Sequence, residues 1–305
     1  MLLYILKRLF VAFLVAVTVS IVTFSLVRSA GDPAVAIAGP DAAQEDVERI
    51  RVQYGLDRPI IIQYGEWAGK AIRGDFGYSR FLNTEVSKVV LDRLPVTLTL
   101  GALSISFALL LAIPLGVLAA CYPNTILDRI ALTISVVGQA LPSFWFALIL
   151  MVFFGVHWSL FPVSGSSTML HFVLPSIALG YYASPAIMRL TRAGMLEVLA
   201  SDYIRTARAK GLLQGSILFK HALRNAVIPV VSVAAVQLGF MFGGSIVIET
   251  IFSLNGLGQL AWQSIHRADL DTMQAVILIN AAMYIIATLA ADILNAALDP
   301  RIRVN

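Results

Sequence analysis

The chain has 305 residues, 58% of them hydrophobic, with 22 basic and 18 acidic side chains and a net charge of +4. Charged residues make up 13% and the mean hydropathy is +0.83, against about 25% charged residues in an average soluble domain. This excludes a soluble globular enzyme, and equally a disordered chain, which needs low hydrophobicity and high charge; an integral membrane protein remains. The single cysteine, Cys121, excludes an intrachain disulfide framework and a multi-cysteine metal site.

The charges are clustered. Residues 32–93 carry 18 of the 40 and residues 189–224 carry 9, whereas 9–27, 94–127, 130–188, 225–248 and 272–291 carry none. A helix crosses the hydrocarbon core with roughly 20 apolar residues. The run 130–188 suits two crossings, broken between His157 and Ser167 with Pro162 and Gly165 as turn residues. The expected spans are about 9–28, 96–120, 130–156, 171–190, 228–249 and 273–293. Six spans place both termini on one side.

The first span, within residues 1–30, follows Lys7 and Arg8 and reads as an uncleaved anchor. Its apolar run is longer than a signal-peptide core, and Arg28-Ser29-Ala30 is a poor cleavage site. Residues 31–95 then read as an extracytoplasmic helical segment. Asp41 caps a helix over Ala42–Tyr54 that Gly55 ends. Pro59 starts a second, IIIQYGEWAGKAI, with Gly74 after it, and Asn83 caps a third that runs through Arg93. Tyr64, Trp67 and Phe76 form a small core there or lie at the membrane interface, where aromatic residues collect. Residues 96–305 hold the other five spans, with a charged loop at 190–227.

Orientation follows from the short loops. The side holding the N-terminus has Lys7, Arg8, Arg129, seven basic residues between Arg189 and Arg224, then Arg301 and Arg303, 12 in all; the opposite short loops have only Arg267. Basic residues gather on the cytoplasmic side, so both termini and the charged loop are expected there. The basic balance therefore calls for no nucleic-acid partner.

The charged loop carries the most specific chemistry. Ser201 or Asp202 caps a short helix, Tyr203–Lys210, that Gly211 ends. Arg205, Arg208 and Lys210 make it basic, and Ala207, Ala209 and Gly211 let another surface approach its backbone. A second amphipathic piece, Ile217–Leu223, leads into the next span. By pattern alone the helix either rests on anionic lipid headgroups or docks a soluble cytoplasmic partner.

The wording Asp202-Tyr203-Ile204-Arg205-Thr206-Ala207-Arg208-Ala209-Lys210-Gly211 resembles the cytoplasmic EAA loop of ABC-importer permeases, in the form used by the dipeptide/oligopeptide/nickel branch. The resemblance covers nearly the whole chain. It includes GDP at Gly31–Pro33, YGLDRP at Tyr54–Pro59, GDFG at Gly74–Gly77, RLPVTL at Arg93–Leu98 and LPSFW at Leu141–Trp145. It continues with HALRNAVIP at His221–Pro229, IETIF at Ile248–Phe252 and DPRIR at Asp299–Arg303. Order and spacing together resemble the B-type permease subunit of that branch. The general pattern is Glu-Ala-Ala, three residues, Gly, nine residues, Ile-x-Leu-Pro. Counted from Gly211, Arg205 and Thr206 replace its Glu and first Ala, and His221-Ala222-Leu223-Arg224 replaces its end. With Arg205 in that place, a partner groove should offer acidic or polar acceptors.

The resemblance implies an all-α type I ABC-importer permease fold in a bacterial cytoplasmic membrane. It implies a homologous second permease chain, two cytoplasmic ATPase subunits or domains, and an extracytoplasmic substrate-binding protein. The chain would catalyse nothing and hold no cofactor, with ATP and Mg bound by its partners; it has no G-x-x-x-x-G-K-[ST] phosphate loop. Peptides are the expected substrate, with nickel chelates or oligosaccharides as alternatives within the branch. A stand-alone secondary transporter is the rival from another class, and a membrane scaffold is a third reading. Secondary transporters usually carry ionisable residues near mid-membrane, and here the apolar runs hold no central acid.

Other candidates are weaker. Gln139, Gln237 and Asn280 are polar groups in apolar spans that glue helices or line a path. Gly239 and Gly243 form a G-x-x-x-G that favours close packing over substrate contact. Asp292 is an ionisable residue near the inner end of the last span, where water or Arg301 can satisfy it. His157 and His171 bracket the outer loop and favour structural roles over a metal relay. Asn255-Gly256-Leu257-Gly258 reads as a flexible outer turn, either a contact for the binding protein or an ordinary interfacial loop.

Overall fold

The computed structural model describes residues 2–39 and 42–298. Five helices are long and apolar enough to cross a membrane: residues 5–29, 86–121, 169–199, 228–251 and 270–296. The elements run α1 (Leu2–Ala30), α2 (Pro33–Ala38), α3 (Gln44–Gln53), α4 (Ile60–Ile72), a hairpin of β1 (Tyr78–Ser79) and β2 (Thr84–Glu85), then α5 (Val86–Cys121). They continue with α6 (Ile126–Ala140), α7 (Ser143–Leu150), a π-helical extension over Met151–His157 and a 3-10 turn at Met169–Phe172. After these come α8 (Val173–Leu199), α9 (Asp202–Ala209), a π-helical stretch Ser216–Leu223 with the one-turn α10 (Arg224–Ala226), α11 (Ile228–Ile251), α12 (Leu257–His266) and α13 (Leu270–Leu298).

The central pair is α5 and α8, and their sequences explain it. On α5, Ser104, Ala108, Ala112, Gly116 and Ala120 recur every four residues and are buried. Such a small-residue row lets helix backbones approach closely where no hydrophobic effect between spans drives them together. A Cβ at Gly180 of α8 would stand 2.4 Å from the Ser104 carbonyl oxygen, and one at Gly116 would stand 2.8 Å from the Met188 carbonyl oxygen. These two contacts show that α5 and α8 are parallel. The chain between them must therefore return through the full thickness of the bundle, and α6, α7 and the π extension make that return.

This corrects the single span expected over 130–156. Leu141 is extended, and Pro142 precedes the start of α7, so the crossing is two helical pieces with a break. The proline removes a backbone donor and disfavours helix in the residue before it. By contrast, Pro95 and Pro114 lie inside α5 without ending it. Such prolines are tolerated in spanning helices, where neighbouring helices re-satisfy the freed backbone groups.

Residues 31–95 differ from expectation in four ways. The α3 helix begins at Gln44 after an extended Ala43 that makes no side-chain cap bond; the expected cap Asp41 lies outside the described residues. Asn83 sits in the hairpin turn at φ +51°, and the helix expected to end at Arg93 runs on unbroken into the membrane as α5. It thus passes through the boundary placed between residues 95 and 96. Phe76 leaves the aromatic group: Tyr64 and Trp67 pack on Phe24 of α1, at 5.6 and 5.4 Å between ring centroids, while Phe76 packs beside Val86 and Val90. The helix α4 itself occupies the residues expected of it.

Three contacts place the ends of the helices. Arg8 of α1 pairs with Asp292 of α13 at 3.1 Å, Asn295 donates to Ser232 of α11, and Gly194 of α8 lies against Ala226. Both the start of α1 and the end of α13 therefore lie at the end of the bundle that carries α9. Arg8 is the partner found for Asp292; Arg301 lies outside the described residues.

Candidate functional site

The site grows from the end of α8. Ser201 takes an extended conformation and its hydroxyl donates back to the Val198 carbonyl, so it sits at the cap position without a capping bond. Asp202 opens the helix one residue earlier than the pattern predicts, and an acid there suits the positive end of the helix dipole. Gly211 ends the segment at φ +73°, a conformation glycine adopts without strain. Its N–H bonds the Arg208 carbonyl at 2.9 Å.

The helix α9 has two faces. Ile204 and Ala207 point inward, into a cluster with Val117 and Ala120 of α5, Met195 of α8, and Ile217, Ala222 and Ala226. Ala207 is therefore part of the socket, with its small side chain turned toward the chain's own core. Asp202, Tyr203, Arg205, Thr206, Arg208, Ala209, Lys210 and Gly211 are exposed. Arg205 bonds Asp202 at 3.1 Å across the surface, and the Tyr203 hydroxyl accepts from the Asn225 amide at 2.8 Å. Beyond Gly211, Leu213 is 82% exposed and Phe219 is 67% exposed. Sequence reasoning did not single these two out. Large apolar side chains beside a basic helix and outside any span are the signal that marks them.

A second constellation lies at the opposite end. Glu249, in the last turn of α11, is fully buried. Its carboxyl group accepts from the Thr97 hydroxyl at 2.8 Å and from the Gln259 N–H at 2.9 Å. Thr97 in turn accepts the Leu257 N–H at 2.8 Å, and Arg93 reaches the Gln259 side chain at 3.2 Å. This overturns the flexible turn expected at residues 255–258. Gly256, Leu257 and Gly258 are buried and only Asn255 is exposed. A Cβ at Gly256 would stand 2.4 Å from the Glu249 carboxyl, and one at Gly258 would stand 2.7 Å from the Ile246 backbone. In the sequence Glu249 is one of four acids that bound charge-free runs, with Asp128, Asp271 and Asp292, and its role needed the fold.

The remaining candidates separate. Gln139 accepts from Arg189 at 3.1 Å and ties α6 to α8. Gln237 donates to the Ala183 carbonyl at 3.5 Å. A Cβ at Gly239 would collide with the Tyr284 ring of α13, at 1.8 Å, whereas Gly243 has nothing within 4 Å. Only the first glycine of that motif packs within the chain. The Asn280 carbonyl oxygen is buried with no hydrogen-bond partner among the described residues. His171 bonds Thr168 at 2.8 Å and caps the 3-10 turn. Asp128 and Arg192 form a two-bond pair at 2.7 Å each that fastens α6 to α8 near α9.

A bundle of apolar spanning helices with a basic, socketed helix at one end and a clasped loop at the other defines a multi-pass membrane permease. Residues 112–304 match the family of binding-protein-dependent transport system inner membrane components, and residues 1–101 match that system's N-terminal membrane component. The chain belongs to this family. It is 38% identical over 304 residues to the glutathione transport system permease protein GsiC of Escherichia coli strain K12, covering 99% of each chain, and equally to its Salmonella choleraesuis counterpart. Among solved structures, the inward-facing MetNI methionine ABC transporter superposes with a TM-score of 0.58 at 21% identity, covering 69% of this chain and 96% of that one. That similarity is one of fold.

Proposed function

We propose that the chain forms half of the translocation path of an ATP-driven importer for small peptides of the glutathione type. It pairs with a homologous permease chain, receives substrate from an extracytoplasmic binding protein, and is driven by two ATPase subunits that hold ATP and Mg. Both termini and α9 face the cytoplasm, in line with 12 basic residues on that side against Arg267 alone in the opposite short loops. The observation that carries this reading is the two-faced α9. Its inner side is seated on α5 and α8 at once, so a displacement of α9 moves the ends of both central helices. Such an element can bias the bundle between two packings.

The docking face comprises Asp202, Tyr203, Arg205, Thr206, Arg208, Ala209, Lys210 and Gly211, supported from below by Ala207. Arg205, Arg208 and Lys210 meet acidic or polar acceptors, and Leu213 and Phe219 supply apolar contact. The path and packing positions are Gln139, Gln237, Gly239, Gly243 and Asn280. Asn255 is the exposed tip offered to the binding protein, and Gly256 shapes it from within. The test is Arg205→Glu combined with Leu213→Asp, read by copurification of the ATPase and by ATP-driven glutathione uptake into vesicles. Both should be lost while the chain still inserts in the membrane. If both survive, the docking reading is wrong.

A further inference from the structure

The helix α4 has three sectors, set by the 3.6-residue period. Ile60, Tyr64, Trp67 and Ala71 form the first, which meets α1 through the Phe24 contacts. Gln63, Glu66 and Lys70 form the second, and its polar groups turn to the extracytoplasmic segment. Gln63 donates to the Leu56 and Arg58 carbonyls, and Glu66 pairs with Arg58 at 2.6 Å. The third sector, Ile61, Gly65, Ala68 and Ile72, lies nearly opposite the polar one. Nothing among the described residues covers its large side chains: Ile61 is 80% exposed and Ile72 is 88% exposed.

Depth decides what covers this face. The Tyr64 hydroxyl bonds Ser20 of α1 at 2.7 Å. The spanning part of α1 ends at Ser29, nine residues later, or about 13 Å along a helix. A helix anchored there lies beside the outer half of α1 and not above it. Ile21, Val22 and Leu26 of α1 are also exposed, so the stretch of α1 beside which α4 is anchored itself presents apolar side chains at membrane depth.

We propose that α4 lies in the outer leaflet, with Ile61 and Ile72 in contact with acyl chains and Glu66 and Lys70 on the water side. Polar and apolar sectors on opposite sides, with Tyr and Trp between them, suit a helix in the plane of the interface. The inference rests on the membrane reading of α1, and its test reads depth and not transport.

The experiment starts from Cys121→Ser, which removes the only native thiol. Ile61→Cys, Ile72→Cys, Glu66→Cys and Lys70→Cys are each labelled with a nitroxide in the full transporter, assembled with its partners in liposomes. Collision with apolar oxygen is compared with collision with a water-soluble nickel chelate. Labels at 61 and 72 should favour oxygen, and labels at 66 and 70 should favour the chelate. Chelate access at 61 and 72 equal to that at 66 would overturn the proposal. So would exclusion of both reagents there, which would mean that another protein covers the face. Coelution of each labelled chain with its partners confirms that the readings come from folded complexes.

Discussion

Thr97→Val tests the clasp at the end of the bundle opposite α9. Valine matches threonine in shape and removes only the hydroxyl. That hydroxyl accepts the Leu257 N–H and donates to Glu249, both at 2.8 Å and both buried. Its loss strands one buried N–H and takes one donor from a buried carboxyl oxygen. An unsatisfied buried polar group costs about 1–3 kcal/mol, so the two together cost about 2–6 kcal/mol. At roughly 2–4 °C per kcal/mol for chains of 150–250 residues, the thermal midpoint of the purified complex should fall by at least about 4 °C. Thr97→Ser keeps the hydroxyl and should recover most of the loss. The clasp also holds Gly256 and Leu257 at the start of α12, so hydrogen exchange over residues 252–260 should rise in the valine variant and not in the serine one. An unchanged midpoint together with unchanged exchange in Thr97→Val would refute the hydrogen-bond argument.

Two further outcomes follow from the ion pairs. Arg192→Lys should destabilise the junction of α6 and α8, because the two-bond geometry to Asp128 needs the planar guanidinium. Loss of about 1 kcal/mol or more is expected, since a hydrogen bond to a charged group contributes about 1.5–3 kcal/mol, and a thermal melt against wild type reads it. The second concerns Asp32, which caps α2 and meets Arg51 of α3 at 2.6 Å. Partial burial opposes its ionisation, but the Arg51 guanidinium and the Ala34 N–H outweigh that and hold its carboxyl below the usual carboxylate range. A carboxyl lowered in the folded state contributes stability above its unfolded value, about 3.9, and loses it as pH falls through the folded value. Protease susceptibility of residues 32–53 should therefore rise below about pH 4, and Asp32→Asn should flatten that pH dependence.

Much of this molecule is legible in the residue order, for a physical reason. A membrane leaves the backbone few choices, so long charge-free runs become spanning helices wherever they fall. The positions of α1, α5, α8, α11 and α13 follow from that rule, and α4 follows from Pro59 and Gly74. The segment Asp202–Gly211 carries its own start and stop signals and needs no tertiary context to be recognised. What the order could not decide was anything set by a neighbour. Pro142 breaks its crossing whereas Pro95 and Pro114 lie inside α5 without ending it, although each is a proline within a charge-free run. Ala207 reads as a surface residue until Met195 and Val117 are seen above it. Asn255 and Gly256 have the composition of a loose turn, but just beyond them Thr97 holds the Leu257 N–H across 160 residues of chain and Glu249 holds the Gln259 N–H across 10, which fastens the segment. Local pattern determines where helices start and which are apolar; only the folded bundle determines which polar groups meet, and those meetings shape both ends of the path.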